Sequence, residues 1–346
     1  MLRTAMILLT LALLSAPALS HDASGQTLTV TDEEGREVTL PAIPKKIISL
    51  TPAAAEVIYA LGEADRLAAV SEDCISPPGL MAMEKVGESG REVDLERVME
   101  IGPDLVIAKT GGLFSAEDEE RLKGYGVPVL RYRGLQIDTL IPMIADLGLI
   151  LGREEEAREM IGWARGYSDL VSARTAGIPE EERPRIYFMS MGHFDWTAGF
   201  ESAGHERIVE AGGENIAEDL PGKVPHVDME WVLERDPEVI VYSIPTSQYA
   251  GPTPTLQEMA DKRAEIMSLP AFDRIDAVET GRVYVADINM ASGLSEVVMI
   301  LYYAKWFHPD LFTDIDPRAV YEEVYRRFFG MEINAVHQVY PETAIL

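Results

Sequence analysis

The sequence predicts an α/β fold of two lobes, each a mostly parallel sheet flanked by helices, joined by one long rigid helix. Three observations carry this expectation. First, apolar residues at Ala157, Met160, Ile161, Ala164, Tyr167 and Val171 recur at three- and four-residue steps within a charged stretch, the signature of an amphipathic helix. Second, a motif occurs once on each side of that stretch. Asp94-Leu95-Glu96-Arg97-Val98-Met99-Glu100 precedes Pro103-Asp104-Leu105-Val106-Ile107, and Asp228-Met229-Glu230-Trp231-Val232-Leu233-Glu234 precedes Pro237-Glu238-Val239-Ile240-Val241. Like motifs in the two halves imply lobes of like construction. Third, short apolar runs alternate with helical patterns, as in parallel sheets covered by helices. One large α/β domain in which a common helix–strand pattern recurs by chance is the alternative.

Taken in order, residues 1–20 read as an export leader. Arg3 supplies the basic flank, Met6 to Leu14 is almost wholly apolar, and Ala18-Leu19-Ser20 is a small-x-small cleavage site. No Cys stands at that point to take a lipid, and an uncleaved anchor is the alternative. Residues 21–153 form the first lobe. Leu28 to Thr31 and Glu37 to Leu40 flank a turn at Gly35, a hairpin. Ile47 to Leu50 is a buried strand, and Thr51-Pro52 starts a helix that stops near Gly62. Leu67 to Val70 and Leu105 to Ala108 are strands, separated by a Pro- and Gly-rich loop and a short helix capped by Asp94. A helix follows from Ala116, then a strand at Val127 to Leu130.

Residues 154–176 are the bridging helix, weakened by Gly162 and Gly166 by up to about 1 kcal/mol each. Residues 177–346 form the second lobe. Its strands start at Arg185, Val239 and Val283, a helix spans His205 to Ala211, and closing helices cover Ser295 to Phe307 and Pro317 to Phe329.

Composition narrows the function. A net charge of −28, or −29 without the leader, lacks the basic footprint that nucleic acid requires. Cys74 is the sole cysteine, so stability rests on packing rather than on an internal disulfide. The sequence contains no Gly-x-Ser-x-Gly elbow and no His-Glu-x-x-His; Phe188-Met189-Ser190-Met191-Gly192 lacks the first glycine. An exported enzyme therefore has no catalytic motif to support it, and a sensor domain stays open.

Four motifs carry a resemblance: Pro44-Lys45-Lys46-Ile47-Ile48-Ser49-Leu50-Thr51-Pro52 with Glu56; Asp94-Leu95-Glu96-Arg97 before Pro103-Asp104-Leu105-Val106; Gly212-Gly213-Glu214-Asn215-Ile216-Ala217; and Gly281-Arg282-Val283-Tyr284. In this order, over nearly all the mature chain, they resemble the periplasmic solute-binding proteins of ABC importers for ferric siderophores, haem and cobalamin. The resemblance implies a class III, chelatase-like architecture that hinges little and holds its ligand between the lobes. It implies an exported protein, a monomer without an intrinsic cofactor, whose ligand is an iron or cobalt complex. Its partners would be a membrane permease and the associated ATPase. One Glu at the outer end of each lobe would dock on permease arginines, and the matching positions are Glu96 and Glu230. Each also suits the first turn of a capped helix, where the helix dipole favours a carboxylate by about 0.3–1 kcal/mol.

Cleft residues should follow strands at the facing ends of the lobes. The candidates are Thr51, Asp73, Glu88, Arg91 and Lys109 in the first lobe, and His193, Trp196, His226 and Asn289 in the second, with Met191 and Met290 as secondary candidates. The Trp196 face could pack on a macrocycle or catecholate ring. Arg91 and Lys109 would attract an anionic chelate. His193 and His226 could ligate a metal directly, or be ordinary loop histidines. Relatives with aromatic cages take cobalamin and those with Arg clusters take ferric siderophores; this chain shows neither pattern, so nickel chelates and other metal complexes stay open.

Overall fold

The computed structural model describes residues 27–88, 92–112, 114–251, 253–333 and 339–341. The leader and Arg91 lie outside them. β1 (Leu28–Thr31) and β2 (Glu37–Leu40) form the expected antiparallel hairpin. The first lobe continues with β3 (Ile47–Ser49), α1 (Pro52–Ala60), β4 (Leu67–Val70), α2 (Pro78–Met81), β5 (Gly87–Glu88), β6 (Glu92–Val93), α3 (Leu95–Ile101), β7 (Leu105–Ala108), α4 (Ala116–Gly124), β8 (Val129–Arg131) and α5 (Ile137–Leu151). α6 (Glu154–Thr175) leads to the second lobe. There follow β9 (Arg185–Met189), α7 (Ala203–Glu210), β10 (Glu214–Asn215), α8 (Met229–Arg235), β11 (Val239–Ile244), α9 (Leu256–Met267), α10 (Asp276–Glu279), β12 (Val283–Asp287), α11 (Leu294–Phe307), α12 (Pro317–Phe328) and β13 (Val339–Tyr340).

Besides the two-stranded ribbons β1–β2 and β5–β6, two larger, separate sheets result. The first has the order β4-β3-β7-β8, all parallel; the second has the order β10-β9-β11-β12-β13, with only β13 antiparallel. Strand residues alternate between faces, as the two-residue pleat demands. In the first sheet Ile47, Leu105, Ile107 and Leu130 face inward, while Ile48, Val106, Ala108 and Val129 pack outward with Leu95, Val98 and Leu122 of α3 and α4. In the second sheet Ile186, Phe188, Val239 and Val241 face inward, while Tyr187, Ile240, Tyr242 and Val285 pack outward with Val232 and Met259. The inner faces of both sheets, together with α1, α5, α6, α11 and α12, share one continuous apolar core.

α6 is 22 residues long, about 33 Å at 1.5 Å per residue. Glu154, Glu155 and Glu156 occupy its first turn and Arg174 its last, each matching the helix dipole. Its buried face includes Trp163, absent from the expected stripe; the indole meets Tyr167 and Phe328 edge-on, each at 5.4 Å between ring centroids. Gly162 and Gly166 lie on the exposed side. α6 packs closely on α5, where a Cβ at Gly148 would stand 2.4 Å from the Ala157 Cβ.

The repeated motif folds alike in both lobes. Asp94 and Asp228 accept the backbone N–H of Arg97 at 2.9 Å and of Trp231 at 2.8 Å, capping α3 and α8. Both helices end on a left-handed residue, Gly102 or Asp236. The acid after each proline then ties its strand to a neighbour. Asp104 accepts the Lys46 N–H at 2.8 Å, and Glu238 accepts the Arg185 N–H at 3.0 Å.

Two long helices, α5 and α9, were not anticipated, nor were the single turns α2 and α10. α5 carries Pro142 in its interior, which masks its apolar pattern. α9 opens on a capping box, Thr255 with Glu258, a signal present in the sequence. The strand expected at Val127 to Leu130 lies at Val129–Arg131, displaced past Pro128.

Candidate functional site

In a parallel α/β sheet, solutes meet the loops at the carboxyl ends of the strands. Here those ends turn toward each other. Gly134, beyond β8, accepts a hydrogen bond at 3.2 Å from the backbone N–H of Gly293, beyond β12. The loops that follow the strands of both sheets carry the candidate residues.

The first sheet places Thr51, Asp73 and Lys109 after β3, β4 and β7. Thr51 is buried, and its carbonyl accepts the Ser49 hydroxyl at 2.9 Å. Lys109 is mostly buried and pairs with Asp73 at 2.5 Å, so the two charges offset each other. Asp73 also accepts the Ser71 hydroxyl at 2.5 Å. Glu88 lies in β5, its backbone opposite Glu92 of β6.

The second sheet builds a more distinctive surface. After β9 the chain turns through Met191 (φ 52°) and Gly192 (φ 81°), both left-handed. The turn is held by the Tyr242 hydroxyl and the Gln248 amide, which donate to the Gly192 carbonyl at 2.8 and 2.9 Å, and by the Tyr187 hydroxyl, which donates to the Phe194 carbonyl at 2.6 Å. A Cβ at Gly192 would lie 2.5 Å from Gln248 and 2.6 Å from Pro245, so this close approach requires glycine. The anchored turn presents His193, whose ring lies flat on Trp196 with centroids 3.9 Å apart. Trp196 pairs by backbone with His226, and their ring centroids are 4.8 Å apart. His226 Nδ1 stands 3.8 Å from the Asp195 carboxylate. Both histidines are exposed and Trp196 is half-buried. The outermost ring of this stack is therefore an imidazole, not the indole.

Asn289, half-buried after β12, donates to the Tyr249 hydroxyl at 2.8 Å and to Asp287 at 2.9 Å. Tyr249 and Asp287 were not anticipated, although an acid ending an apolar strand is a visible signal. Burial pushes the Asp287 carboxyl up to about 6, against opposing hydrogen bonds from Asn289 and Tyr249. Among the described residues its Oδ2 has no hydrogen-bond partner. Of the secondary candidates, Met191 is 49 % exposed, whereas Met290 is packed in the shared core. A separate cavity of about 480 Å³ lies between α5, α6 and α7; its lining includes Ile137, Asp138, Ser168, His205, Glu206 and Glu210, and none of the candidate cleft residues.

Glu96 and Glu230 are each the second residue of their helices, α3 and α8, and both are exposed. Among the described residues neither carboxylate has a hydrogen-bond or ion-pair partner. The adjacent Arg97 is engaged by Glu84 and Glu100. Among the described residues no three His, Cys, Asp or Glu side chains converge to hold a bare metal ion, and no helix is long and apolar enough to cross a membrane.

A family model described as periplasmic binding protein matches residues 47–289. The chain is 26 % identical over 295 residues to the uncharacterized ABC transporter substrate-binding lipoprotein YvrC of Bacillus subtilis, covering 83 % of this chain and 87 % of that protein. It is 31 % identical over 216 residues to a vitamin B12-binding protein of Yersinia pestis, covering 61 % of this chain and 74 % of that one. In fold it is similar to the TroA-like periplasmic binding protein FepB of Veillonella parvula, with a TM-score of 0.76, 21 % identity, and coverage of 90 % of this chain and 98 % of that chain.

Proposed function

We propose that this chain, which belongs to the periplasmic binding protein family, captures an iron or cobalt chelate in the crevice between its sheets and delivers it to the permease of an ABC importer. The observation that carries this reading is the convergence of the strands' carboxyl ends from two parallel sheets, at the Gly134–Gly293 contact, beneath loops rich in rings and amides. On this reading the guest is held and released unchanged. The substrate-binding relative in Bacillus subtilis supports the importer role and a place outside the cytoplasm, after removal of the leader. The free carboxylates Glu96 and Glu230, one on each lobe, supply paired acceptors for permease arginines.

Shape narrows the guest more than charge does. Lys109 is paired with Asp73, which offsets its charge, whereas Arg133, just after β8, has no side-chain ion pair among the described residues, so an anionic chelate stays open. A chelate with a ring face can be met by the exposed imidazole of His193. A corrinoid fits this description, as the similarity to a vitamin B12-binding protein supports. The exposed imidazoles of His193 and His226 support a second reading. A nickel or other metal complex with an open coordination position would be ligated by one of them.

The test is calorimetry and tryptophan fluorescence of the purified mature protein with cobinamide, haem, a ferric catecholate and nickel–histidine. Saturable binding of cobinamide or haem is expected. Saturation by nickel–histidine alone would replace the first reading with the second, and silence with all four would overturn both.

A further inference from the structure

Glu56 is a carboxylic acid in α1 of the first lobe, 4 % exposed, and no candidate ligand surface uses it. Its Oε1 accepts the backbone N–H of Leu294 at 2.7 Å, 238 residues away, and the Ser295 N–H bonds to the same carboxyl. These are orphan amides of the first turn of α11, which no carbonyl within the helix can reach. Burying an acid is costly unless donors meet it. Here the donors belong to the other lobe.

The fit is tight. Gly293, immediately before α11, adopts φ 60° and ψ −144°, a conformation open essentially to glycine alone. A Cβ there would stand 2.8 Å from Glu56 Oε1 and 2.9 Å from its Cδ. The same glycine donates to Gly134 of the first lobe. The segment from Asp287 to Gly293 is therefore gripped at both ends. Tyr249, Asp287 and Asn289 tie its start to the second sheet. Glu56 and Gly134 tie its end to the first lobe. Asn289, a candidate contact for the solute, belongs to the first grip.

We propose that Glu56 is a positioning residue for solute capture: by holding the amino end of α11 it sets the height of the Asn289 loop and the width of the crevice. It does so without touching the solute. This rests on the proposed binding function, and the experiment has one arm that does not. Spin labels at Tyr125→Cys and Leu256→Cys, exposed positions on opposite lobes, report the inter-lobe distance in the full mature protein without solute. Affinity for cobinamide, haem, a ferric catecholate and nickel–histidine is measured in parallel.

Glu56→Gln keeps an accepting oxygen and is expected to retain the distance distribution and an affinity within about twofold of wild type. Glu56→Ala is expected to broaden the distribution and weaken binding by about tenfold or more. Glu56→Asp draws the acceptor back by one methylene with less risk to folding, and is expected to shift the distance and weaken binding in the same sense. A folded Glu56→Ala or Glu56→Asp protein with wild-type distances and affinity overturns the proposal. So does a lowered melting temperature with unchanged distances, since Glu56 would then be merely structural. A wild-type protein that binds none of the four probes overturns the functional reading, while the distances still decide whether Glu56 sets the gap.

Discussion

His193 lies flat on Trp196, with ring centroids 3.9 Å apart and planes inclined by 13°. On the proposed function, the contact changes what a guest would meet. An indole expected to offer its face to a chelate has that face covered, and the exposed imidazole becomes the outer surface. Removing the imidazole should uncover the indole, and removing the indole should leave the imidazole unsupported.

His193→Ala is accordingly expected to weaken chelate binding by about tenfold, comparable to losing one ring contact with its burial. Trp196→Phe should retain part of the affinity but lose the ligand-dependent change in tryptophan emission. Titration of both variants checks this; a full emission response from Trp196→Phe would assign the signal to Trp163, Trp231 or Trp306 instead.

For docking, Glu96→Ala combined with Glu230→Ala should abolish solute uptake in cells carrying the importer, with chelate affinity of the purified protein unchanged. The carboxylates are exposed and unpaired among the described residues, so the loss would not arise from folding. Uptake at the wild-type rate would end the docking assignment.

The α5–α6 contact offers a stability test. Gly148→Ala places a methyl group 2.4 Å from the Ala157 Cβ and 3.2 Å from the Arg153 carbonyl. Such overpacking should destabilise the protein by about 1–3 kcal/mol in urea unfolding. Adding Ala157→Gly should recover much of that loss, because the colliding atom is removed; no recovery would place the strain elsewhere.

Stability should also fall as pH rises from about 5 to about 8. Burial pushes Glu56 up to about 8, Glu210 to about 7 and Asp287 to about 6, from ordinary values of 4.5, 4.5 and 3.8. In that window the native carboxyls keep protons that the unfolded chain has released. The stabilisation is full below the unfolded values and is lost as pH passes the folded ones. The groups facing Glu56 are the Leu294 and Ser295 amides, with Tyr321 and Tyr325 of α12 nearby. Those around Glu210 are Ser168, Asp138, Glu296 and Arg207, and those around Asp287 are Tyr249 and Asn289. At the acid end the trend reverses, because Glu119, hydrogen-bonded to Arg131 and beside Arg36, is lowered to about 2 against its own desolvation. Glu56→Gln should flatten the decline between pH 5 and 8 in thermal melts. An identical slope in the variant would exclude Glu56 as a source.

Much of the fold was legible because its signals are local. The period of α6, the Asp caps of α3 and α8, and the apolar strand beyond each proline are short-range patterns, and each appears where its residues direct it. α5 was illegible because Pro142 interrupts its pattern; that proline lies on the exposed face with Asp138, Ala145 and Leu149, while Leu140, Ile144 and Leu147 are buried opposite, so packing rather than local propensity holds the helix. The candidate site was legible only as positions after strands. That Lys109 is offset by Asp73 depends on a contact between two different loops. That His193 covers Trp196 depends on a left-handed turn anchored by Tyr242 and Gln248, more than 45 residues further along the chain.

Local signals were enough for the main strands, for α6, for the repeated helix–strand unit, for the acidic net charge and for the two helix-end carboxylates, because propensity, capping and pleat act over a few residues. Only the tertiary structure decided that both sheets turn their inner faces to one continuous core, and that an acid in α1 meets the first amides of α11. Those outcomes depend on burial and on donors brought together across more than 200 residues of chain, and no periodicity encodes a partner at that separation.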